Sequence, residues 1–374
     1  HHRRRFRFPI GGIGGSNGKT TTKEMIGAIL AARGPALKTE GNLNNEIGVP
    51  LTIFRMEEGL TGAILEMGMN RPGELERISR VAEADCAAIT NVGPEHLEHL
   101  GSIEGVARAE GEIYAGVKRD GVAVANADDA LVLEQAQRSG LRLLTFGRAP
   151  GADVRLEQVL SHDLDGLRIR IGHAGRTHTC TLRFVGEHNA VNACAAFAMG
   201  VALGCSVEHC LQGLEAARPY KHRLVIHRHV QAPGLPRLTV IDDCYNANPA
   251  SMDAALETLK ALAGESRTVA VLGDMLEVGT TEEDEHRRLG REAVRAGVSA
   301  LVAFGPRSRF TFEGASALGA RAHHVPEPAD AAAAVAFLKA QLQENDVVLV
   351  KGSRGMKLER VVDALTGATT AGAH

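Results

Sequence analysis

The chain has 374 residues, 44% of them hydrophobic and 23% charged, with a formal net charge of −3 at pH 7. This composition excludes a disordered tail and a chain dominated by nucleic-acid binding, so we expect no nucleic-acid partner. We find no run of about 18 apolar residues and therefore expect a cytoplasmic protein without membrane insertion. The length favours two domains, each with a core of its own.

The first eight residues, HHRRRFRF, are strongly basic. We interpret residues 1–8 as a solvated linker or tag remnant rather than as a binding arm. The six cysteines form no CxxC pair, and most lie among apolar residues, which predicts buried free thiols. Cys205 and Cys210 flank His209, but that stretch is typical of a helix, so a metal site there is disfavoured.

Residues 11–30, GGIGGSNGKTTTKEMIGAIL, turn from a glycine-rich loop into a helical pattern. Apolar residues recur at spacings of three and four from Met25 to Leu30, and Gly34-Pro35 then stops the pattern. A helix is therefore predicted to begin near Lys19. The glycines before it can take positive φ angles, so that backbone N–H groups face an anion beside the positive end of the helix dipole.

This loop predicts a phosphate-binding site in which Lys19 reaches the outer phosphates and the Thr20 hydroxyl binds Mg²⁺. The strict GxxxxGK[ST] pattern is missed, because Ile13 occupies the place of the first glycine. A flexible glycine-rich connector is the alternative on these residues alone. The predicted nucleotide-binding residues of the loop are Gly15, Ser16, Asn17, Gly18, Lys19, Thr20 and Thr21.

Short β-rich runs alternate with helical patterns, which is typical of βαβ units and a doubly wound parallel sheet in an α/β fold. Residues 152–184 alternate apolar and polar instead, which predicts an added antiparallel edge. After residues 215–222 the βα rhythm starts afresh, which indicates a second, Rossmann-like α/β domain. We therefore predict a central domain over residues 9–217 and a C-terminal domain over 218–374, whose Ala/Gly-rich last ten residues should fray.

Polar residues follow the predicted strands at the edge where a doubly wound sheet binds its ligands. Glu66 ends the run AILEMG, so its carboxylate can hold Mg²⁺ beside Lys19; the alternative is a surface glutamate at a turn. Thr90, Asn91 and His96 follow the next strand. An imidazole here can be a metal ligand, although a lone histidine is more often only hydrogen-bonded.

Eight stretches in order resemble the Mur ligases: GSNGKTTTKEMI, GNLNNEIGVPLT, LEMGMNRPGEL, ITNVGPEHLEHLGSIEGVARAEGEI, GEHNAVNACAA, IDDCYNANPASM, LGDMLEVG and VLVKGSRGMKLERVV. The resemblance runs from about residue 9 to about residue 365. NNEIG, YNANP and KGSR favour the branch of the family that adds D-alanyl-D-alanine. The resemblance implies a P-loop NTPase-like central domain and a C-terminal domain, and we expect the family's N-terminal UDP-sugar domain to be missing from this chain.

The chemistry that the resemblance implies is ATP-dependent amide ligation in peptidoglycan synthesis. ATP phosphorylates the terminal carboxylate of UDP-MurNAc-tripeptide, and the amine of D-alanyl-D-alanine attacks the acyl phosphate, with release of ADP. The reaction needs neutralised phosphoryl charge rather than a protein nucleophile. We expect a monomer that uses ATP and two Mg²⁺ ions.

The resemblance also implies roles for individual residues. Lys19 stabilises the transferred phosphate, Thr20 and Glu66 hold the first Mg²⁺, and His96 holds the second. Asn189, Arg223 and Asp243 match nucleotide-binding positions, with a helix cap as the alternative for Asn189 and an ion pair for Arg223. The expected substrate-binding residues are Asn44, Asn45, Asn246, Asn248 and Lys351.

Two positions depart from the family pattern. Gly14 stands where the family usually has threonine, which loosens the junction into the loop. Glu110 stands where the family has a lysine, carbamylated in several members so that it can hold the second metal. Glu110 supplies a carboxylate with a shorter reach, and the alternative is a plain helix-surface residue.

Two rival interpretations remain. One is a related amide ligase, such as the ligase that adds the third residue or a folylpolyglutamate synthase. The other is a nucleotide-binding module without ligase activity, which the missing first domain and Glu110 would favour.

Overall fold

A computed structural model of the chain describes residues 1–328 and 330–368. The chain divides into two compact units, residues 1–219 and 220–374. The described part contains no helix that is long and apolar enough to cross a membrane. The Ala/Gly-rich end, predicted to fray, lies largely outside the described residues.

The first unit is built on one sheet, and its described strands are β1 (Ile10–Gly14), β2 (Ala36–Lys38), β3 (Gly62–Glu66), β4 (Cys86–Ile89), β5 (Val122–Asn126), β6 (Arg142–Gly147), β7 (Val154–Asp163), β8 (Gly166–His173) and β9 (Arg176–Leu182). Their spatial order is β2-β3-β1-β4-β5-β6-β7-β8-β9. Pairing is parallel from β2 to β7 and antiparallel from β7 to β9. The predicted parallel sheet with an antiparallel edge is therefore confirmed.

The described helices of this unit are α1 (Lys19–Arg33), α2 (Gly48–Phe54), α3 (Glu74–Ala82), α4 (Leu97–Leu100), α5 (Ile103–Gly111), α6 (Ala130–Arg138), α7 (His188–Ala202) and α8 (Val207–Ala216), with short 3₁₀ turns at His2–Arg5 and Glu112–Gly116. Two apolar clusters form the core. One packs α1, α7 and α8 against the sheet, and the other packs α2, α3, α5 and α6. Strands buried in this way read as nearly continuous apolar runs, which is why the sequence reveals them.

The N-terminal segment is part of the first unit, so the predicted solvated linker over residues 1–8 is wrong. Arg3 is buried and donates hydrogen bonds to the carbonyls of Ala82 and Glu83 at the end of α3. Phe6 and Phe8 pack against the core. A guanidinium group satisfies the unpaired carbonyls of a helix C-terminus, so a basic run can be a capping device as well as a solvated arm.

The second unit has a sheet with the order β10-β11-β15-β12-β13-β14. Within the described residues, its elements are β10 (Val225–Val230), β11 (Leu238–Asp243), α9 (Pro249–Ala263), β12 (Thr268–Gly273), α10 (Glu282–Arg295), β13 (Val298–Phe304), α11 (Arg309–Ser316), β14 (Ala322–Val325), α12 (Ala331–Gln341), β15 (Val347–Lys351) and α13 (Glu359–Thr366), with 3₁₀ turns at Gly279–Thr281 and Arg354–Met356. Only the β10–β11 pairing is antiparallel. This is the predicted second α/β unit.

Three strands were not predicted: β2, β10 and β14. Their burial is incomplete, with half-buried or exposed positions in each. Edge strands of this kind carry little apolar signal because only part of each strand packs against the core. The six cysteines are free and buried, as predicted. His209 lies on α8, so the helix predicted between Cys205 and Cys210 is also confirmed.

Candidate active site

The glycine-rich loop joins β1 to α1 at the carboxyl edge of the sheet. Gly15 has φ 114°, and a Cβ there would lie 2.1 Å from Thr90 Oγ1. Gly18 has φ 84°, and a Cβ there would lie 2.6 Å from Asn192 Oδ1. Both positions need glycine for its conformation and for its missing side chain. The loop therefore makes close contacts with the end of β4 and with the start of α7, which a free connector would not make.

The amides that can face an anion are fewer than the sequence suggests. The N–H of Gly15 donates to Glu110 Oε2 at 2.6 Å. The amides of Ser16 and Asn17 donate to the carbonyl and the side chain of Asn91, at 2.9 and 3.0 Å. Three loop amides thus hold the loop in place. The first turn of α1, which starts at Lys19, has amides without intrahelical partners and the positive end of the helix dipole, so it is the part of this region that can face an anion.

The ammonium group of Lys19 folds back over the loop. It donates to the carbonyl of Gly15 and lies 3.8 Å from Glu95 Oε2. Lys19 and Glu95 are both largely buried, so this pair holds the lysine at the mouth of the loop while its charge is neutralised. An incoming phosphate would compete with Glu95 for the same ammonium group.

Glu66 ends β3 beside the first turn of α1, as the sequence predicted. Its Oε1 accepts hydrogen bonds from Thr20 Oγ1 at 3.1 Å and from Asn44 Nδ2 at 2.9 Å. Its Oε2 is buried, accepts no hydrogen bond from the part of the chain that the structure describes, and lies 3.7 Å from the ammonium group of Lys23. Glu66 is only 3% exposed, so the alternative of a surface glutamate is excluded.

Lys23 is fully buried and is paired with Glu24 at 3.0 Å as well as with Glu66. A buried ammonium group is costly unless it is paired, so this lysine compensates the carboxylates around it. Sequence analysis missed Lys23, because its spacing in α1 gives no signal that distinguishes it from a surface lysine.

Glu110 is not the helix-surface residue that the alternative interpretation required. It is 1% exposed, and its Oε2 faces the loop. Burial raises the pKa of Glu110, the charge of Lys19 lowers it, and neighbouring Glu95 raises it. A Cβ on Gly14 would lie 2.7 Å from Glu110 Oε2, so the two departures from the family pattern are coupled: the absence of a side chain at Gly14 makes room for Glu110.

His96 is half-buried and precedes the short helix α4, with a left-handed φ of 49°. The adjacent Glu95 is the carboxylate that contacts Lys19 and acts on Glu110. Sequence analysis missed Glu95, although the motif GPEH places it next to the predicted ligand.

Asn189 lies in the first turn of α7 and is buried. It donates to the carbonyl of Val185 at 2.7 Å and accepts from Asn192 at 2.9 Å. The N-cap position belongs to Glu187, so the alternative role of Asn189 as the cap is not observed. Asn192, which sequence analysis missed, connects Asn189 to Gly18 of the loop.

The predicted site residues of the second unit form a separate cluster at the ends of β11 and β15. The Lys351 ammonium group lies 2.6 Å from Asp243 Oδ2 and donates to the carbonyl of Asn246 at 3.0 Å. Asp243 also accepts from the N–H of Leu224 at 3.2 Å. The guanidinium group of Arg223 lies over the ring of Tyr245, 4.3 Å from its centroid. This is a cation–π contact within the second unit.

The predicted substrate-binding asparagines differ in what their side chains do. Asn45 accepts from the amides of Ile47 and Gly48, and Asn248 caps α9 in a reciprocal pair with Ser251. Asn246 is exposed. Stabilisation of the local backbone therefore explains the presence of Asn45 in NNEIG and of Asn248 in YNANP.

Fold and loop together define an α/β protein with a P-loop-type nucleotide site at the carboxyl edge of its first sheet. Two family models match: the Mur ligase middle domain over residues 13–200 and the Mur ligase, glutamate ligase domain over residues 222–354. The chain belongs to the Mur ligase family, as the motifs indicated.

Individual relatives agree. The UDP-N-acetylmuramoyl-tripeptide--D-alanyl-D-alanine ligase of Bacillus subtilis is 38% identical over 356 residues, which cover 95% of this chain and 75% of that protein. A crystal structure of MurF from Acinetobacter baumannii matches with a TM-score of 0.88 and 32% identity, over 98% of this chain and 78% of that one. The MurF ligase from Thermotoga maritima in complex with ADP matches with a TM-score of 0.84 and 26% identity, over 98% and 82%.

Proposed function

We propose that the chain carries the ATP-binding and C-terminal parts of an ADP-forming ligase that joins D-alanyl-D-alanine to UDP-MurNAc-tripeptide. The terminal carboxylate of the tripeptide attacks the γ-phosphorus of ATP and ADP leaves. The amine of the dipeptide then attacks the acyl carbon, phosphate leaves and an amide forms. Relatives that cover most of the chain carry this name. We further propose that the enzyme acts in the cytoplasm as a monomer.

The observation that carries the proposal is the contact between Thr20 and Glu66. It joins a hydroxyl at the start of α1 to a carboxylate at the end of β3, 3.1 Å apart and shielded from solvent. Paired with the lysine of the preceding loop, this arrangement suits a nucleoside triphosphate with its metal ion.

The residues present fit a Mg²⁺ ion. Thr20 and Glu66 supply hard oxygen ligands, and the buried Oε2 of Glu66 accepts no hydrogen bond within the described residues. Bound Mg²⁺ would neutralise charge on the phosphates of ATP. Lys23 lies 3.7 Å from that oxygen, so its charge compensates the carboxylate before a metal ion binds.

Lys19 would leave Glu95 and follow the charge that develops on the transferred phosphoryl group. Its positive charge and the amides of the first turn of α1 are held in place before the reaction, so little reorganisation is needed as the transition state forms. Asn91 and Thr90 fix the loop, with Thr90 Oγ1 donating to the carbonyl of Asn17 at 2.6 Å. The chain thus supplies positioning and charge rather than a nucleophile.

We propose that Glu110, Glu95 and His96 serve the second Mg²⁺, with Glu110 as the negative group that needs no modification. Glu110 is buried at the loop and close to Glu95, which makes a carboxylate pair suited to a hard cation. Asn189, Arg223 and Asp243 are proposed nucleotide ligands. Asn44, Asn246 and Lys351 are proposed to position substrate, whereas Asn45 and Asn248 would act through the backbone turns they stabilise.

A direct test follows product formation by the full-length protein that carries these residues. ADP release should require both UDP-MurNAc-tripeptide and D-alanyl-D-alanine, and mass spectrometry should detect the pentapeptide product. A panel of other amines should give no product. Release with a single amino acid would support a related ligase, and ADP binding without substrate-dependent release would support a nucleotide-binding module.

The role of Glu110 is tested by Mg²⁺ titrations with and without bicarbonate. Glu110→Gln keeps the shape but removes the charge, so it should raise the Mg²⁺ concentration at half-maximal rate. Glu110→Lys should regain activity only with bicarbonate, whereas the unmodified protein should not respond to it. Glu104→Gln, an exposed position on the same helix, is the matched control. Equal titrations for Glu110→Gln and its control would remove Glu110 from the metal site.

A further inference from the structure

Three metal-ligating side chains converge near the start of the second unit. His222, Asp242 and Cys244 offer ligand atoms that all lie within 4.8 Å of one another. His222 Nδ1 lies 2.8 Å from Asp242 Oδ2, and Cys244 Sγ donates to Asp242 Oδ1 at 3.0 Å. Asp242 and Cys244 are buried and His222 is half-buried. A thiol, a carboxylate and an imidazole therefore meet at one shielded point.

The strand pairing explains this convergence. Asp242 and Cys244 are two residues apart, so they lie on the same face of β11 and its extension. In the antiparallel register Val225 is opposite Asp242 and His227 is opposite Val240. His227 is consequently a diagonal neighbour of Asp242 on that face. Asp243 projects to the other face, where it pairs with Lys351, so the cluster is distinct from the proposed nucleotide site.

His227 lies beside this cluster. Its Nε2 is buried and lies 3.6 Å from Asp242 Oδ2, the separation of a weak ion pair. It is not one of the three residues whose ligand atoms lie within 4.8 Å of one another, so it would neighbour a bound ion rather than ligate it.

The surroundings of the cluster are acidic. Glu359 and Asp363 lie one turn apart on α13, and their charges act on the cluster together with that of Asp242. Within the described residues, Glu359 Oε2 is buried without a hydrogen bond, and Arg354 lies 3.5 Å from Glu359 Oε1. The carboxylates on α13 add negative charge that a bound cation would offset.

We propose that His222, Asp242 and Cys244 form a binding site for Zn²⁺. Zinc prefers four ligands of nitrogen, sulfur and oxygen in a tetrahedron, whose edges are about 3.3–3.6 Å for ordinary bond lengths, so a water molecule would be the fourth ligand. The separations of 2.8 and 3.0 Å at the two oxygens of Asp242 are shorter than these edges, so entry of the ion requires the side chains to move apart. The thiol disfavours Mg²⁺ and Ca²⁺, which select oxygen ligands.

Zinc is bound by the thiolate form of cysteine, so its binding would release the proton that Cys244 Sγ donates to Asp242 Oδ1. The ion would link the segment just before β10, through His222, to the end of β11. The site is thus structural, stabilising the second unit, and it does not depend on the proposed ligase activity.

The first test measures zinc affinity on the 374-residue chain, kept reduced and freed of metal. His1→Ala and His2→Ala are introduced throughout, because terminal histidines bind metals adventitiously. Competition with a chromophoric chelator should give one equivalent of Zn²⁺ with a Kd below about 1 μM. Bound Co²⁺ should show a thiolate-to-metal charge-transfer band. Weaker binding, or Co²⁺ without that band, would overturn the proposal.

Variants then locate the site. Cys244→Ser, Asp242→Asn and His222→Ala should each weaken Zn²⁺ binding at least about 100-fold, the upper end of what outer-shell changes cost. The matched controls are Cys180→Ser, another buried thiol, and His229→Ala, an exposed histidine on β10. They should bind as tightly as the parent chain. Equal affinity of Cys244→Ser and Cys180→Ser would contradict the proposal.

A final measurement needs no folded variant. Alkylation of the chain in mild denaturant, mapped by peptide mass spectrometry, compares Cys244 with the five other cysteines. Zn²⁺ should slow the modification of Cys244 selectively and raise the midpoint of thermal unfolding. Unchanged alkylation of Cys244 at saturating Zn²⁺ would refute the assignment even if every variant misfolded.

Discussion

Each unit places a carboxylate at the end of a parallel strand and pairs it with a lysine, but the two pairs differ in how completely they are satisfied. In the second unit, Asp243 Oδ2 lies 2.6 Å from Lys351, and its other oxygen accepts from a backbone amide. In the first unit, Glu66 Oε2 lies 3.7 Å from Lys23 and accepts no hydrogen bond.

This difference in hydrogen bonding indicates two different roles for a buried carboxylate, one structural and one in binding a cation. Each oxygen of the Asp243 carboxylate has a protein partner, so this group also holds the strand ends in a fixed arrangement. The Glu66 carboxylate keeps one oxygen without a hydrogen bond in a dry environment, which is costly unless a cation completes it. An incompletely satisfied buried carboxylate next to a phosphate-type loop is therefore the better indicator of a metal site.

Among these substitutions, removal of Lys23 should reduce the stability of the fold most. Lys23→Ala leaves Glu66 buried without its cation, whereas Glu24 keeps its pairing with Lys38, so we expect a loss of about 3–5 kcal/mol in the free energy of unfolding. Urea denaturation measures it. Because Mg²⁺ would replace the missing charge, added Mg²⁺ should stabilise this variant more than the parent chain. A loss below 1 kcal/mol, with no Mg²⁺ response, would show that Lys23 does not compensate Glu66.

Lys19 tests the catalytic side of the loop. Lys19→Ala should reduce ATP turnover in the full-length protein by an amount equivalent to roughly 3 kcal/mol or more, because it deletes a charge that stabilises phosphoryl transfer. Stability should change little, since the partner Glu95 lies at the mouth of the loop. Lys118→Ala, at an exposed lysine of the same unit, is the control. Turnover within tenfold of the parent protein would remove Lys19 from the mechanism.

Gly14 tests whether the space around Glu110 is as tight as the distances indicate. Gly14→Ala would place Cβ 2.7 Å from Glu110 Oε2, which the amide of Gly15 holds in position, so we expect a loss of about 1–3 kcal/mol in stability. Truncating the acid in Gly14→Ala/Glu110→Ala should relieve the clash. The coupling energy comes from a double-mutant cycle measured by denaturation.

Gly12→Ala provides the control for that experiment. Its Cβ would meet the flexible end of Met67 at 3.1 Å, so a smaller loss is expected. Additive effects of Gly14→Ala and Glu110→Ala would show that the two positions are independent.

The smallest expected effect concerns His162, a group that is satisfied only in its neutral form. Its Nε2 accepts from the N–H of Gly186 at 3.0 Å, just before α7, and burial lowers the pKa of His162. The contribution to stability is therefore fully present above the unfolded pKa of about 6.5, and it decreases as the pH falls toward the lower folded value. The hydrogen bond is worth about 0.5–1.5 kcal/mol.

His162→Gln keeps an acceptor without the titration. Its unfolding free energy should vary less with pH between 5 and 7 than that of the parent chain. The prediction would be wrong if the unfolding free energy of the parent chain rose as the pH fell from 7 to 5 while that of His162→Gln stayed constant.

The positions of several candidate site residues were predictable because they depend on residues close in sequence. Gly18, Lys19 and Thr20 lie where a glycine loop becomes a helix, and Glu66 ends an apolar run, so contiguous residues carry the signal. Lys23, Glu95 and Asn192 were missed because their roles depend on partners that are distant in sequence. Arg3 was misread for the same reason, since its partners are the last carbonyls of α3.

The sequence by itself determined the α/β class, the two βα rhythms, the antiparallel edge and the phosphate loop, because periodicity and loop chemistry are properties of adjacent residues. The tertiary structure alone decided that Glu110 is buried against the loop, that Gly14 makes room for it, and that Asp242 meets two histidines and a thiol. Those relations arise when strands and helices pack. The burial of a carboxylate and its distance from other groups determine its charge and its partners. Neither can be predicted from the residues that adjoin it in the sequence.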